Sequence, residues 1–236
     1  MKVCVLQPDY GMSSLDYQNY DPKRDLSALM PEAEIHHAYL NKLTTYSQIK
    51  DLSKQNFDIY VNLCEGYLEW DIPSIDVIHT LELLKLPFTG PSSLLYDPPK
   101  DLMKYVSYCV GIKTPNYIKI SKREEAKKAS TLFNFPLFVK PLKSGDSLGI
   151  DQNSRCNTQE EIDAKVESLL QEFDEILIEE CIEGREFTVL VAADPNKEKE
   201  CISYTPVEYI FPEGFSYKTY ALKTSELHPE SNKACD

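Results

Sequence analysis

Residues 135–151 read FPLFVKPLKSGDSLGID. The apolar run Phe135 to Val139 has the composition of a buried strand, yet it hands over to Lys140 and Pro141. A small-residue loop follows, with two of the chain's eight glycines, Gly145 and Gly149, beside Ser144, Asp146 and Ser147. Small residues let successive backbone N–H groups converge on an anion, and a lysine adds a point charge. That makes the stretch a candidate phosphate clamp. The same residues also fit a solvated lysine before an ordinary loop. The loop is neither G-x-x-x-x-G-K-[ST] nor G-x-G-x-x-G, and no helix follows directly to lend its dipole.

Working outward, the pattern alternates. Lys2 to Leu6, Glu34 to Leu40 and Phe57 to Leu63 read as strands. Thr45 to Lys54 reads as a helix, and a second helix, IDVIHTLELLKL, lies between Pro73 and Pro87. Strands alternating with helices predict a parallel sheet covered on both sides. The breaker cluster TGPSSLLYDPPK then marks a domain boundary after residue 96. Beyond it come a helix from Lys100 to Val110, stopped by Gly111, and a strand from Tyr117 to Ile120. Ser121 is the expected cap of a helix through Ala129. Thr158 and Glu161 form the sequence pattern of a capping box for a helix up to Phe173. Glu175 to Ile182 is a strand, Glu183 and Gly184 a turn, and Arg185 to Ala193 and Cys201 to Phe211 further strands.

The strand ending in Glu179, Glu180, Cys181 and Ile182, with Glu186 after the turn, carries the second group of polar residues. Carboxylates at a strand end are costly to bury unless they accept hydrogen bonds. An adenine amino group and ribose hydroxyls supply such donors, whereas a surface hairpin would leave the glutamates solvated.

The bulk properties narrow the function. The 236 residues suffice for one large domain or two small ones, and 42% hydrophobic content fits a folded protein. A net charge of −13 repels polyanions, which argues against nucleic acid and acidic membrane surfaces as partners. An anionic small ligand would need a local lysine cluster against that field. Seven cysteines are scattered with no C-x-x-C, and several sit in apolar runs, so reduced core thiols in a cytoplasmic protein are expected. The four histidines show no zinc-ligand spacing, and adjacent His36 and His37 would point to opposite faces of a strand. No secretory or transmembrane run occurs, and no metal ligands are assigned.

Three stretches, in order, carry a family resemblance: PFTGPSSLLYDPPKDLMK, FVKPLKSGDSLGID and ILIEECIEGREFTV. Together they resemble the D-alanine–D-alanine ligase branch of the ATP-grasp superfamily. The resemblance implies an α/β fold: a Rossmann-like parallel sheet, the pre-ATP-grasp domain (1–96), a first ATP-grasp subdomain (97–182), and the incomplete start of a second (183–236). It implies ATP between the two subdomains. Lys104 and Lys140 would contact phosphates, and the amides around Gly145, Asp146 and Ser147 would close over them. Glu179, Glu180, Cys181 and Ile182 would border the adenine, Glu186 would hold the ribose, and Lys223 matches a further phosphate lysine. Lys140 and Lys223 are the implied catalytic residues. The implied reaction joins a small-molecule carboxylate to an amine through an acyl phosphate, with Mg2+ as metal.

The chain also departs from the family pattern. QPDYGMSSLDY replaces the family's early glycine-rich substrate motif, and Cys64, Glu65 and Gly66, then Glu69, Trp70 and Asp71, replace its His-Gly and Gly-Glu-Asp-Gly. Asp146 stands where a serine is usual, and Thr224 where a tyrosine follows the phosphate lysine. These differences put D-alanine itself in question as substrate. The family's magnesium ligands, an aspartate and a Glu-x-Asn, are expected beyond Asp236. Glu230-Ser231-Asn232 spells Glu-x-Asn without an apolar strand around it. The expectation is therefore the N-terminal portion of a longer chain, or one whose open sheet edge is covered by a homodimer or other partner. A non-catalytic nucleotide-binding or structural module is the alternative reading. A plain α/β interaction domain would require all three matched stretches to be accidents.

Overall fold

The computed structural model describes residues 1–13, 21–194, 196–197, 200–211 and 216–223. The chain divides into two compact units, Met1–Pro98 and Pro99–Asp236.

The first unit is built on a parallel sheet. β1 (Lys2–Pro8) lies between β2 (Glu34–Leu40) and β3 (Ile59–Asn62), in register from Lys2↔Glu34 to Pro8↔Leu40 and from Val3↔Ile59 to Leu6↔Asn62. Phe88 adds a parallel bridge beside Tyr60. Among its described residues, the α-helices of this unit are α1 (Thr45–Ser53) and α2 (Ile75–Leu83). Both bury apolar residues, Ile49 from α1 and Val77 and Leu81 from α2, against Cys4, Leu6, Leu40 and Tyr60. The helices thus share one face of the sheet, where the sequence pattern led us to expect them on both. Connectivity explains this. The connections β2→β3 and β3→Phe88 travel the same way across the sheet, and right-handed crossovers in one direction land on one face. Only β1→β2 runs the other way, and its described residues contain a 3-10 turn (Tyr10–Met12) but no α-helix.

α2 stops before Pro87 for a local reason. Lys85 adopts φ +54, its N–H donates to Glu82 O (3.0 Å), and the Leu86 N–H donates to Leu81 O (2.9 Å). This is a Schellman termination with lysine in the left-handed position. The unit runs to Pro98 because Tyr96 and Asp97 are tied to the turn after β3. The Gly66 N–H donates to Tyr96 Oη (2.7 Å), and the Tyr67 hydroxyl donates to Asp97 Oδ2 (2.8 Å).

The second unit contains an antiparallel sheet ordered β4 (Tyr117–Ile120), β7 (Ile176–Glu180), β5 (Leu137–Pro141), β6 (Arg155–Cys156). Alternate side chains Leu137, Val139, Ile176 and Ile178 pack with Ile162, Val166 and Leu169 of α5 (Gln159–Leu169) and Ala129 of α4 (Lys127–Leu132). α3 (Lys100–Cys109) ends at Gly111 (φ +75), again by a Schellman pair, Gly111 N–H to Tyr108 O and Ile112 N–H to Ser107 O.

Three expectations need correcting. Ser121 does not cap a helix: its N–H donates to Glu125 Oε2, and a 3-10 turn (Arg123–Ala126) precedes α4. α5 ends at Leu169 rather than Phe173, and only half of its capping box forms. Thr158 accepts from the Glu161 N–H, but the Glu161 carboxylate reaches the N–H of Asn157, one residue too early. The two long strands after the turn are each broken in two. β8 (Glu186–Thr188) pairs with β11 (Val207–Tyr209), and β9 (Val191–Ala193) with β10 (Cys201–Ser203), all antiparallel. Pro206, without an N–H to donate, lies in the gap between β10 and β11. A short helix, α6 (Tyr220–Lys223), follows.

Candidate active site

The period of two in β5 answers why a buried strand carries Lys140. Leu137, Val139 and Pro141 are buried and the first two face the helices, so Phe138 and Lys140 stand on the opposite face. On β7 the same alternation puts Leu177 and Glu179 on that face, and the register places Phe138 opposite Glu179 and Lys140 opposite Leu177. α3 reaches this second face through Lys104.

Glu179 is buried and holds two ammonium groups. Its Oε1 is ion-paired with Lys140 Nζ, and its Oε2 lies 2.7 Å from Lys104 Nζ. Apart from that ammonium, Oε2 is buried with no hydrogen-bond partner among the described residues. Lys104 Nζ also donates to Pro115 O (3.0 Å) and lies 5.1 Å from the Tyr117 ring centroid. Two cations around one carboxylate leave the group with a net charge of about +1.

The loop after β5 has a defined shape. Asp146 (φ +47), Ser147 (φ +57) and Gly149 (φ +74) all adopt left-handed backbone conformations. Tight turns close through Leu148 N–H to Gly145 O and Ile150 N–H to Ser147 O, which commits those two amides to the loop itself. Lys100, not among the residues the family resemblance implies, donates from Nζ to Ser144 O (2.9 Å). Its signal was present: Lys100 and Lys104 are four residues apart on one helix and so share a face. Residues 216–220 strap across this loop. The Ser147 hydroxyl donates to Lys218 O (3.1 Å), the Tyr217 hydroxyl to Asp151 O (2.8 Å), and the Tyr220 N–H to Ile150 O (3.0 Å). The Tyr217 ring meets Phe138 edge to face, with centroids 4.9 Å apart. Sequence spacing gave no signal for this strap, since its contacts span about seventy residues of chain.

The remaining expected site residues are more dispersed. The Glu180 carboxylate accepts from the Asn116 N–H (2.9 Å). Cys181 is half-buried; burial pushes its thiol up, against the opposing pull of the Arg155 guanidinium. Arg155 pairs with Glu183 (2.7 Å). Ile182 is exposed, and Glu186 sits opposite Tyr209 in the β8–β11 ladder. No hydrogen bond or ion pair among the described residues joins Ile182 or Glu186 to the Lys104–Glu179–Lys140 group. Lys223 closes α6 with its side chain outside the described residues, as are Thr224 and the whole of Glu230-Ser231-Asn232.

Among the described residues, no group of three or more His, Cys, Asp or Glu side chains is placed to hold a metal ion. The six described cysteines are free thiols. No helix among the described residues is long and apolar enough to cross a membrane.

A family profile described as the D-ala D-ala ligase C-terminus matches residues 106–228, just over half of the chain. A D-alanine–D-alanine ligase of Pseudomonas putida (strain GB-1) is 33% identical over 113 residues, 47% of this chain. That match spans only 35% of the ligase's own length. Among solved structures, the D-alanine–D-alanine ligase of Bacillus anthracis complexed with ATP aligns with a TM-score of 0.58 at 20% identity, covering 96% of this chain and 78% of that one. The VanG D-Ala:D-Ser ligase of Enterococcus faecalis aligns with a TM-score of 0.64 at 21% identity, covering 92% and 72%.

Proposed function

Since the chain belongs to the D-alanine–D-alanine ligase family of ATP-grasp proteins, we propose that it binds ATP and serves as an ATP-dependent carboxylate–amine ligase in the cytoplasm. The observation that carries this reading is the Lys104–Glu179–Lys140 group on the sheet face away from the helices, next to the left-handed loop at Asp146–Gly149.

The residues fit a nucleotide. The acceptor Glu179 Oε2, buried and met only by the Lys104 ammonium among the described residues, keeps lone-pair capacity for an exocyclic amine. Glu180, Cys181 and Ile182 continue from it as the rim of a base site, with Glu186 at the sugar. Lys140 and Lys100 bracket the loop of Gly145, Asp146 and Ser147, where phosphates would meet concentrated positive charge in an otherwise acidic chain. Lys223 follows directly on the strap that is bonded to that loop. ATP would supply the phosphoryl group that turns a substrate carboxylate into an acyl phosphate, which an amine then attacks, releasing phosphate. The lysines offset the charge that develops on the transferred group. Magnesium would need ligands other than those described, and no step is assigned to it.

Asp146 and the Cys64-Glu65-Gly66 replacement favour an acid or amine other than D-alanine. Exposed apolar side chains on and beside the short ladders, among them Val191 and Val207 on the strands and Leu190 and Ile210 next to them, suit a covering partner.

The test is ATP titration by calorimetry of the complete protein and its Lys140→Ala variant. Loss of a charge-assisted contact should weaken ATP by at least about tenfold with the melting temperature little changed. Equal affinity in both proteins would refute the phosphate site. Tight ATP binding without turnover on any acid and amine pair would leave a nucleotide-binding module.

A further inference from the structure

Lys104 is the buried residue of α3, while its helix neighbours Leu102, Met103, Tyr105, Val106 and Tyr108 are exposed. A helix that buries its lysine and exposes its apolar side chains is anchored by that lysine's charge. The Lys104 side chain is only 10% exposed, and its ammonium is engaged by Glu179 and by Pro115 O. Lys140, at 20%, is more open, and Glu179 is its one polar partner among the described residues. A phosphate approaching this group therefore meets Lys140 first. What it feels depends on whether Glu179 cancels that charge.

We propose that Lys104 is a positioning residue rather than a phosphate ligand: it neutralises Glu179, and so leaves the charge of Lys140 available to an anionic phosphate. This inference rests on the nucleotide-site reading above. Its consequence is a charge balance. With Lys104 removed, Glu179 and Lys140 form a neutral pair and the site loses its net positive charge. With Lys104 and Glu179 removed together, Lys140 stands alone and the net charge returns. Exchanging a whole buried ion pair for neutral side chains of similar shape is often close to neutral for stability, whereas removing one partner is not.

The experiment is calorimetric titration of the complete protein with ATP at low and high salt, using Lys104→Met, Lys104→Met/Glu179→Gln and Lys140→Ala. Glutamine keeps an oxygen acceptor at position 179. Lys104→Met should weaken ATP by at least about tenfold and flatten the salt dependence of binding. The double variant should regain the parent's salt dependence, a readout that a weakened base contact at position 179 does not move. A purely structural role for Lys104 would alter melting without moving the salt dependence. If the double variant's salt dependence stays as flat as that of the single one, Lys104 touches phosphate itself and the inference is overturned. Should Lys104→Met fail to fold, the charge-balanced double variant decides alone. Lys140→Ala separates the two failures. If it keeps parental affinity, the nucleotide site falls; if it loses ATP while the double variant keeps the flat salt dependence, only the positioning role falls.

Discussion

Gly149 shows how much of the loop's shape rests on one residue. It adopts φ +74, and a Cβ there would lie 2.7 Å from Pro141 Cγ, 2.9 Å from Leu169 Cδ2 and 3.1 Å from Phe173 Cε2. The proline ring cannot swing away, so Gly149→Ala combines left-handed strain with overpacking. It should destabilise the fold by about 2–4 kcal/mol. Gly111 is the natural control: its φ is +75, but a Cβ would meet nothing within 4 Å. Gly111→Ala should therefore cost only the conformational part, about 1–2 kcal/mol. Urea unfolding midpoints of the two variants check this, and equal losses would mean that the close packing around Gly149 carries no weight. The glycine was visible in the sequence as a loop residue. Its tight packing was not, because that packing depends on where α5 ends, and the sequence reading ran α5 four residues too far.

At the scale of elements, what could be read in advance was whatever depends on short periods. The alternation in β5 and the glutamates closing β7 were legible as strands, and the turn at Glu183 and Gly184 as a break. Register was not legible. Nothing local says that Phe138 pairs with Glu179, which is what brings Lys140 and Lys104 onto one carboxylate. The strap at 216–220 was equally hidden, since its bonds run to residues near 150. Tyr217 is its main fastener, with a hydroxyl bonded to Asp151 O and Gln152 O and a ring set against Phe138. Tyr217→Phe keeps the ring contact and removes the single hydroxyl proton that the two carbonyls share. That shared bond contributes about 1 kcal/mol, so the strap should open more often while the sheet stays intact. The Tyr220 amide, bonded to Ile150 O, should then exchange with deuterium roughly fivefold faster. Amides of β5 and β7 serve as the internal reference. Unchanged exchange at Tyr220 would show that the ring contact alone holds the strap.

At the scale of the whole molecule, the two units have separate cores. Cys4, Leu6, Leu40, Ile49, Phe57, Tyr60, Cys64, Val77 and Leu81 all lie before Pro98. Ile120, Leu137, Val139, Ile162, Val166, Ile176 and Ile178 all lie after it. Among the described residues, each of these clusters stays within one unit. The first unit also closes its own chain end: the Ser93 N–H and hydroxyl both reach the Glu82 carboxylate, and Tyr96 and Asp97 hold the turn after β3. A segment with its own core and with both ends tied back should fold alone. Residues 1–98, expressed separately, should therefore melt in one cooperative transition, with slow amide exchange through β1, the central strand of its sheet. The cut must fall after Asp97. Ending the fragment at residue 92 removes Ser93, Tyr96 and Asp97 together. That loses four of the hydrogen bonds just named, and should lower stability by roughly 2–5 kcal/mol. Comparing thermal melts of the two fragments tests the point directly. If the longer fragment gives only a broad, non-cooperative melt, its core is not self-sufficient. If both melt alike, the Ser93–Asp97 tie carries no stability.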